Sequence, residues 1–166
     1  LGTADEELDL SGAHLSYGDF KDAALSGTAI KLNGAGLANA DLSGATLTAS
    51  ADGDATIDFT DANLTNADLS GSKLSATVSY SYSSGGGDAS IDFTRANLAN
   101  ADLSNSELTA DGGNHATIDF SEADLASADL SGSKLSAEGF YGDAIIDFSE
   151  ADLTNADLNG AEFKAR

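Results

Sequence analysis

Carboxylates are the residues in this sequence with the most obvious chemical potential. The chain has 28 Asp and Glu against 7 Lys and Arg, a formal net charge of -21 over 166 residues. Carboxylate oxygens in glycine-rich turns suit calcium, which makes Asp52, Asp54 and Asp58 around the run Asp52-Gly53-Asp54, together with Asp88, the candidate ligands. Neither the EF-hand spacing nor a G-G-x-G-x-D repeat accompanies them, so calcium is the one cofactor expected at all and no confident metal site is assigned. Acid/base catalysis has weaker support. Carboxylate pairs recur along the whole chain and none stands out as a couple. Only two histidines are present, His14 and His115, too far apart in the repeat pattern to share a site. There is no cysteine, which excludes a thiol nucleophile, a Cys-zinc site and a disulfide framework. The expectation is a non-enzymatic protein without catalytic residues.

The charge also bounds the partners. Direct nucleic-acid binding needs clustered Lys and Arg, and none are clustered here. Cations and basic protein surfaces fit a chain this acidic. No apolar run approaches the ~18 residues of a membrane span. The chain opens at Leu1 with no signal peptide and contains no methionine, and it reads as a processed or trimmed piece.

The elements that position these groups follow from a repeat. Residues 57–76 read IDFTD-ANLTN-ADLSG-SKLSA, four pentapeptides with Phe59, Leu64, Leu69 and Leu74 in equivalent places. The block recurs at 91–110, 118–137 and 146–165, more loosely at 30–49, and in degenerate form at 8–27. A period of five matches neither the 3.6 of a helix nor the 2 of a flat strand. In three pentapeptides of each block a small residue stands two before the large one, so both point inward with one polar residue between them pointing out. The following two residues, such as Thr65-Asn66 or Ser70-Gly71, are turn formers. Each pentapeptide is then a short extended piece and a corner, and four corners close a coil.

The runs A-D-L-S-G, A-N-L-T-N and A-D-L-T-N resemble the A-(D/N)-L-x-x consensus of the pentapeptide-repeat family, and the resemblance covers all six blocks. It implies an all-β fold, a right-handed quadrilateral parallel β-helix of about six coils. The domain reading is an N-terminal segment or cap over 1–7 and one β-helix over 8–166. The expected core includes Phe59, Leu64, Leu69, Leu74, Phe93, Leu98, Leu103, Leu108, Phe120, Leu125, Leu130 and Leu135. On the first face Ile57, Ile91, Ile118 and Ile146 replace the small residue, so both inward positions are large there.

Stacking the blocks at ~4.8 Å makes columns of the outward residues. One holds Asp19, Asp41, Asp68, Asp102, Asp129 and Asp157; another holds Asp9, Lys31, Asp58, Asp92, Asp119 and Asp147. These aspartates serve the adjacent turn or form a cation array or a mimic of a phosphate backbone. A third column, Lys73, Glu107, Lys134 and Glu162, alternates in sign and favours one register. Insertions of 2, 7, 14, 7 and 8 residues all fall at the corner between the fourth face and the next coil. They read as loops or hairpins that stack into a ragged wall, the longest carrying the alternation T-V-S-Y-S-Y-S.

Functionally the pattern points to a structural or interaction module, secreted or on the cell surface, that stacks end to end on itself or meets a basic protein surface. The last coil runs straight to Arg166 with Phe163 near its edge, which invites such stacking. The family resemblance implies an alternative, an acidic DNA-mimic regulator that binds DNA gyrase in the cytoplasm.

Overall fold

The structure, a computed structural model, describes residues 6–79 and 86–166. Among these residues there are twelve strands and no helix. β1 (Leu8–Asp9), β3 (Ala29–Lys31), β5 (Ala55–Asp58), β7 (Ala89–Asp92), β9 (Ala116–Asp119) and β11 (Ala144–Asp147) form one parallel sheet in that order. β2 (Ala24–Gly27), β4 (Thr46–Ala51), β6 (Lys73–Val78), β8 (Glu107–Gly112), β10 (Lys134–Gly139) and β12 (Glu162–Ala165) form the other. Two further faces are joined by single parallel bridges. One runs through His14, Gly36, Asn63, Asn97, Asp124 and Asp152, and the other through Asp19, Asp41, Asp68, Asp102, Asp129 and Asp157. Four faces and six coils make an all-β parallel solenoid of quadrilateral section. Of the expected N-terminal segment, residues 1–5 lie outside the described residues; the Glu6 carbonyl accepts the Thr28 N–H at 3.0 Å and Glu7 pairs with Lys31 at 2.7 Å.

The inward side chains fill the coil. Phe59, Leu64, Leu69 and Leu74 and their equivalents through Leu135 are at most 1% exposed. Phe59, Phe93, Phe120 and Phe148 stack with centroid spacings of 4.7, 4.7 and 4.9 Å and nearly parallel planes. That spacing matches the separation of hydrogen-bonded strands, so rings and main chain share one repeat distance. The small inward positions, such as Ala62, Ala67, Ala96 and Ala101, are equally buried.

Three corners of every coil are tight. The residue two after the apolar one has a positive φ, as at Asn66 (55°), Gly71 (62°) and Asn100 (57°). The apolar residue's carbonyl then accepts the N–H three residues on, as in Ala67 N–H to Leu64 O at 2.9 Å. Asn and Gly tolerate this conformation, which explains their frequency at the corner. Arg95, Glu122 and Glu150 hold the same conformation on the first corner without that tolerance.

At the fourth corner the insertions, expected as loops or hairpins stacked into a wall, are continuations of the strands. Strands β4, β6, β8 and β10 run on past the corner, and β5, β7, β9 and β11 begin before it. The two arms of an insertion belong to different sheets. Each arm pairs with its equivalents in neighbouring coils, from Ala51↔Val78 to Gly112↔Gly139 in one sheet and from Ala55↔Ala89 to Ala116↔Ala144 in the other. The result is an ordered fin with a thin interior of small residues, including Ala49, Ala55, Ala76, Ala89, Ala110, Ala116 and Ala137. At its tip, main chain packs on main chain: a Cβ on Gly87 would run into Gly53, and one on Gly113 into Gly86. Residues 80–85 of the longest insertion, including most of its alternating run, lie outside the described residues.

One inner column departs from apolar filling. Ser72, Ser106 and Ser133 are at most 1% exposed, and their hydroxyls have no hydrogen-bond partner. Ala45 fills the same position one coil earlier at 1% exposure. A buried, unpaired hydroxyl costs free energy that a methyl group of the same shape does not. The triple variant Ser72→Ala, Ser106→Ala, Ser133→Ala is expected to gain about 1 kcal/mol per site. A shift of the urea midpoint to higher concentration at unchanged slope would register it; a lower midpoint would mean that the hydroxyls stabilise the rod.

Candidate functional site

Three surfaces carry the chemistry of the rod: the acidic columns, the fin tip and the open end of the sixth coil. In the column Asp19 to Asp157, every carboxylate accepts the main-chain N–H two residues on. Asp68 Oδ1 takes the Ser70 N–H at 2.9 Å and its hydroxyl at 2.6 Å; Asp102 takes Ser104 N–H and Asp129 takes Ser131 N–H, each at 2.8 Å. The first-face aspartates do the same, Asp58 with Thr60, Asp92 with Thr94 and Asp119 with Ser121. The aspartates therefore serve their turns. Asn63 and Asn97 make the same contact to Thr65 and Ala99, both at 3.1 Å, so the turn needs the oxygen and not the charge.

These bonds and nearby cations hold several carboxyls below their ordinary pKa. Asp9, Asp41 and Asp152 lie below 3.8 through the hydroxyl and then the N–H of Ser11, Ser43 and Thr154. Asp147 is lowered by the N–H and then the hydroxyl of Ser149. Asp61 is lowered by the Arg95 guanidinium, which grips it through Nε at 2.8 Å and Nη2 at 3.0 Å. Glu138 is lowered by Arg166 and then Lys164, at 2.7 and 3.2 Å.

The calcium candidates are not brought together. Asp58 is engaged by its own turn, and Asp54 Oδ1 accepts the Asp88 N–H at 2.9 Å. Asp88 Oδ1 accepts the His115 N–H at 3.1 Å. Asp52 is exposed beside them. Among the described residues, no three His, Asp or Glu converge as a metal would need. His14 lies in the first coil, bridged to Gly36, and His115 at the fin tip, where Nδ1 accepts the Asp143 N–H at 3.0 Å. On the fourth face the register is Lys73↔Glu107↔Lys134↔Glu162. The Lys73–Glu107 pair is 4.0 Å apart and exposed, a contact that favours register more than stability.

The open end is more apolar than Phe163 alone suggested. Ile146, Phe148, Leu153, Leu158 and Phe163 line an open cup of about 270 Å³. Phe163 is 47% and Leu158 38% exposed, and the Phe163 ring stands edge-on to Phe148 at 5.7 Å, ending the parallel stack. Beside the cup, the last insertion exposes Ile145 and the edge-to-face pair Phe140–Tyr141, centroids 4.6 Å apart. The adjacent aromatics of the run Gly139-Phe140-Tyr141-Gly142 are the sequence signal for this exposed patch.

A family model described as pentapeptide repeats matches in 8 copies over residues 57–78, 90–110, 114–137 and 146–165, just over half of the chain. The chain belongs to the pentapeptide repeat family. Among solved structures, this pentapeptide repeat protein is 27% identical to HetL, a pentapeptide repeat protein involved in heterocyst differentiation regulation from the cyanobacterium Nostoc sp. strain PCC 7120, over 93% of this chain and 60% of HetL, with a TM-score of 0.33. It is 22% identical to a pentapeptide repeat protein of the Arabidopsis thaliana thylakoid lumen, over 89% of this chain and 66% of that one, with a TM-score of 0.31. It is 18% identical to QnrB1, a plasmid-mediated fluoroquinolone resistance protein, over 95% and 87% of the two chains, with a TM-score of 0.32. The chain spans less than two thirds of the length of the first two. No curated protein sequence matches it.

The hydrogen-bonded carboxyls predict the sign of the acid response. A carboxyl whose folded pKa is depressed stabilises the fold above the unfolded value and loses that contribution as pH falls through the folded value. The melting temperature is therefore expected to drop as pH is taken from 5 to below 3.8, although protonation also relieves the repulsion of a net charge of -21. A rise over that window, read by circular dichroism, would mean that repulsion dominates. Asp68→Asn keeps the acceptor and should leave stability near wild type, whereas Asp68→Ala should lose about 1 kcal/mol.

Proposed function

We propose that the protein is a non-enzymatic structural and interaction module that associates end to end through its sixth coil, as a unit of a filament or surface scaffold. The observation that carries this reading is the sixth-coil end itself. An apolar cup is lined by residues of β11, β12 and the turns between them, and β11 and β12 stand last in the order of the two sheets. Coil on coil is the contact that this fold makes five times already within the chain. The buried core fills the interior of the described coils, which leaves the outer surface to carry an interaction role. The scaffold reading goes with a secreted or cell-surface location.

Sedimentation velocity over a range of concentrations in physiological salt tests the proposal. The sedimentation coefficient is expected to climb with concentration, and Phe163→Asp, which places a charge in the contact, should weaken association at least tenfold. A single monomer peak at every concentration would overturn it.

A second reading rests on the unbroken column of six aspartates along one face. A continuous negative stripe fits a basic groove that ordinarily takes a phosphate backbone, and DNA gyrase is the partner this reading names. Protein added at micromolar concentration should alter gyrase supercoiling; no effect would remove the reading.

A further inference from the structure

His115 occupies a column at the fin tip whose other members are aspartates. Ala55, Ala89, Ala116 and Ala144 are in register, and the residues just before them are Asp54, Asp88, His115 and Asp143. The first three side chains in this column each accept the main-chain N–H of the next member. Asp54 Oδ1 takes Asp88 N–H at 2.9 Å, Asp88 Oδ1 takes His115 N–H at 3.1 Å, and His115 Nδ1 takes Asp143 N–H at 3.0 Å. A carboxylate accepts throughout the neutral range, but an imidazole nitrogen accepts only while it carries no proton. The contact therefore requires neutral His115 with its proton on Nε2. The neighbouring segment is close against the ring: a Cβ on Gly142 would lie 2.6 Å from Nδ1.

We propose that His115 is a pH-sensitive latch that holds the last insertion to the rod while neutral and releases it when protonated. A proton on Nδ1 points an N–H at the N–H of Asp143, turning an attraction into a repulsion. The titratable groups of the layers on either side of His115 in this column are Asp88, whose carboxylate takes the His115 main-chain N–H, and Asp143, whose main-chain N–H the ring accepts, with Asp54 one layer beyond Asp88. They attract the imidazolium and give it an alternative to the amide. The released stretch leads back through Gly142 to Phe140 and Tyr141. Three main-chain bonds hold it to the preceding insertion: Phe140 N–H to Gly112 O at 3.1 Å, Tyr141 N–H to Gly113 O at 3.2 Å and Gly142 N–H to Asn114 O at 2.9 Å. The latch thus controls how firmly the exposed aromatic pair is presented beside the open end.

The neighbouring coils supply the control. His115→Asp recreates the arrangement of Asp54 and Asp88 and keeps an acceptor at neutral and mildly acidic pH. Amide hydrogen exchange and 15N–1H spectra would be recorded on both proteins between about pH 8 and pH 5, the range in which imidazoles titrate. In the wild type, protection of the Asp143 and Gly142 amides, corrected for intrinsic exchange, is expected to fall roughly threefold to tenfold as the ring takes its proton. In His115→Asp it should stay level, with the core amide of Phe120 unchanged in both. Level protection in the wild type across the ring's titration, or an equal fall in the variant, would overturn the latch.

Discussion

The rod depends on one distance, the 4.7–4.9 Å step from a ring to its equivalent in the next coil. Main-chain hydrogen bonding between strands requires that step, and flat rings lying nearly parallel tolerate it. Leucines, with Phe20 and Phe163 as exceptions, fill the other three faces, so the central coils present one another with the same shape. Packing and hydrogen bonding thus agree layer by layer, as they must where each repeat touches only its neighbours. Everything pointing outward inherits the spacing, including the carboxylates.

That inheritance makes the acidity a consequence of turn chemistry. An outward Asp sits where its oxygen can take the N–H two residues on, and the corner repeats three times per coil. The equivalent bonds of Asn63 and Asn97 separate the need for an oxygen from the need for a charge. Aspartate at all six places of the third-face column goes beyond the turn's requirement. Its surplus is electrostatic: a charge of -21 opposes the unspecific association that open strand edges invite.

Against this uniform shaft, the fin and the sixth-coil end are the places where surfaces differ. The fin is where two sheets separate at one corner, continue side by side on small residues and meet in a glycine-lined tip. The sixth coil carries the apolar cup of Ile146, Phe148, Leu153, Leu158 and Phe163. Phe140 and Tyr141 add an exposed aromatic pair on the last insertion, which leads into β11 and its cup residue Ile146.

How much of this was legible in the sequence depends on how local the cause is. The five-residue register, the inward Leu and Phe ladder and the Lys/Glu alternation were readable, because each follows from side-chain type at a fixed spacing and the stack repeats it. The turn role of the aspartates was readable as one of two meanings, since the accepting oxygen and the donating N–H lie two residues apart. The fin was not readable. Its arms show no pairing with each other in sequence because their partners lie one coil away, through contacts such as Ala55↔Ala89 and Gly112↔Gly139. The acceptor role of His115 was hidden for the same reason, since it faces the amide of Asp143, 28 residues on. Sequence by itself determined what each coil is made of, because the repeat writes the core and corners residue by residue; the tertiary structure alone decided what the insertions become, because only stacking brings their edges into hydrogen-bonding reach.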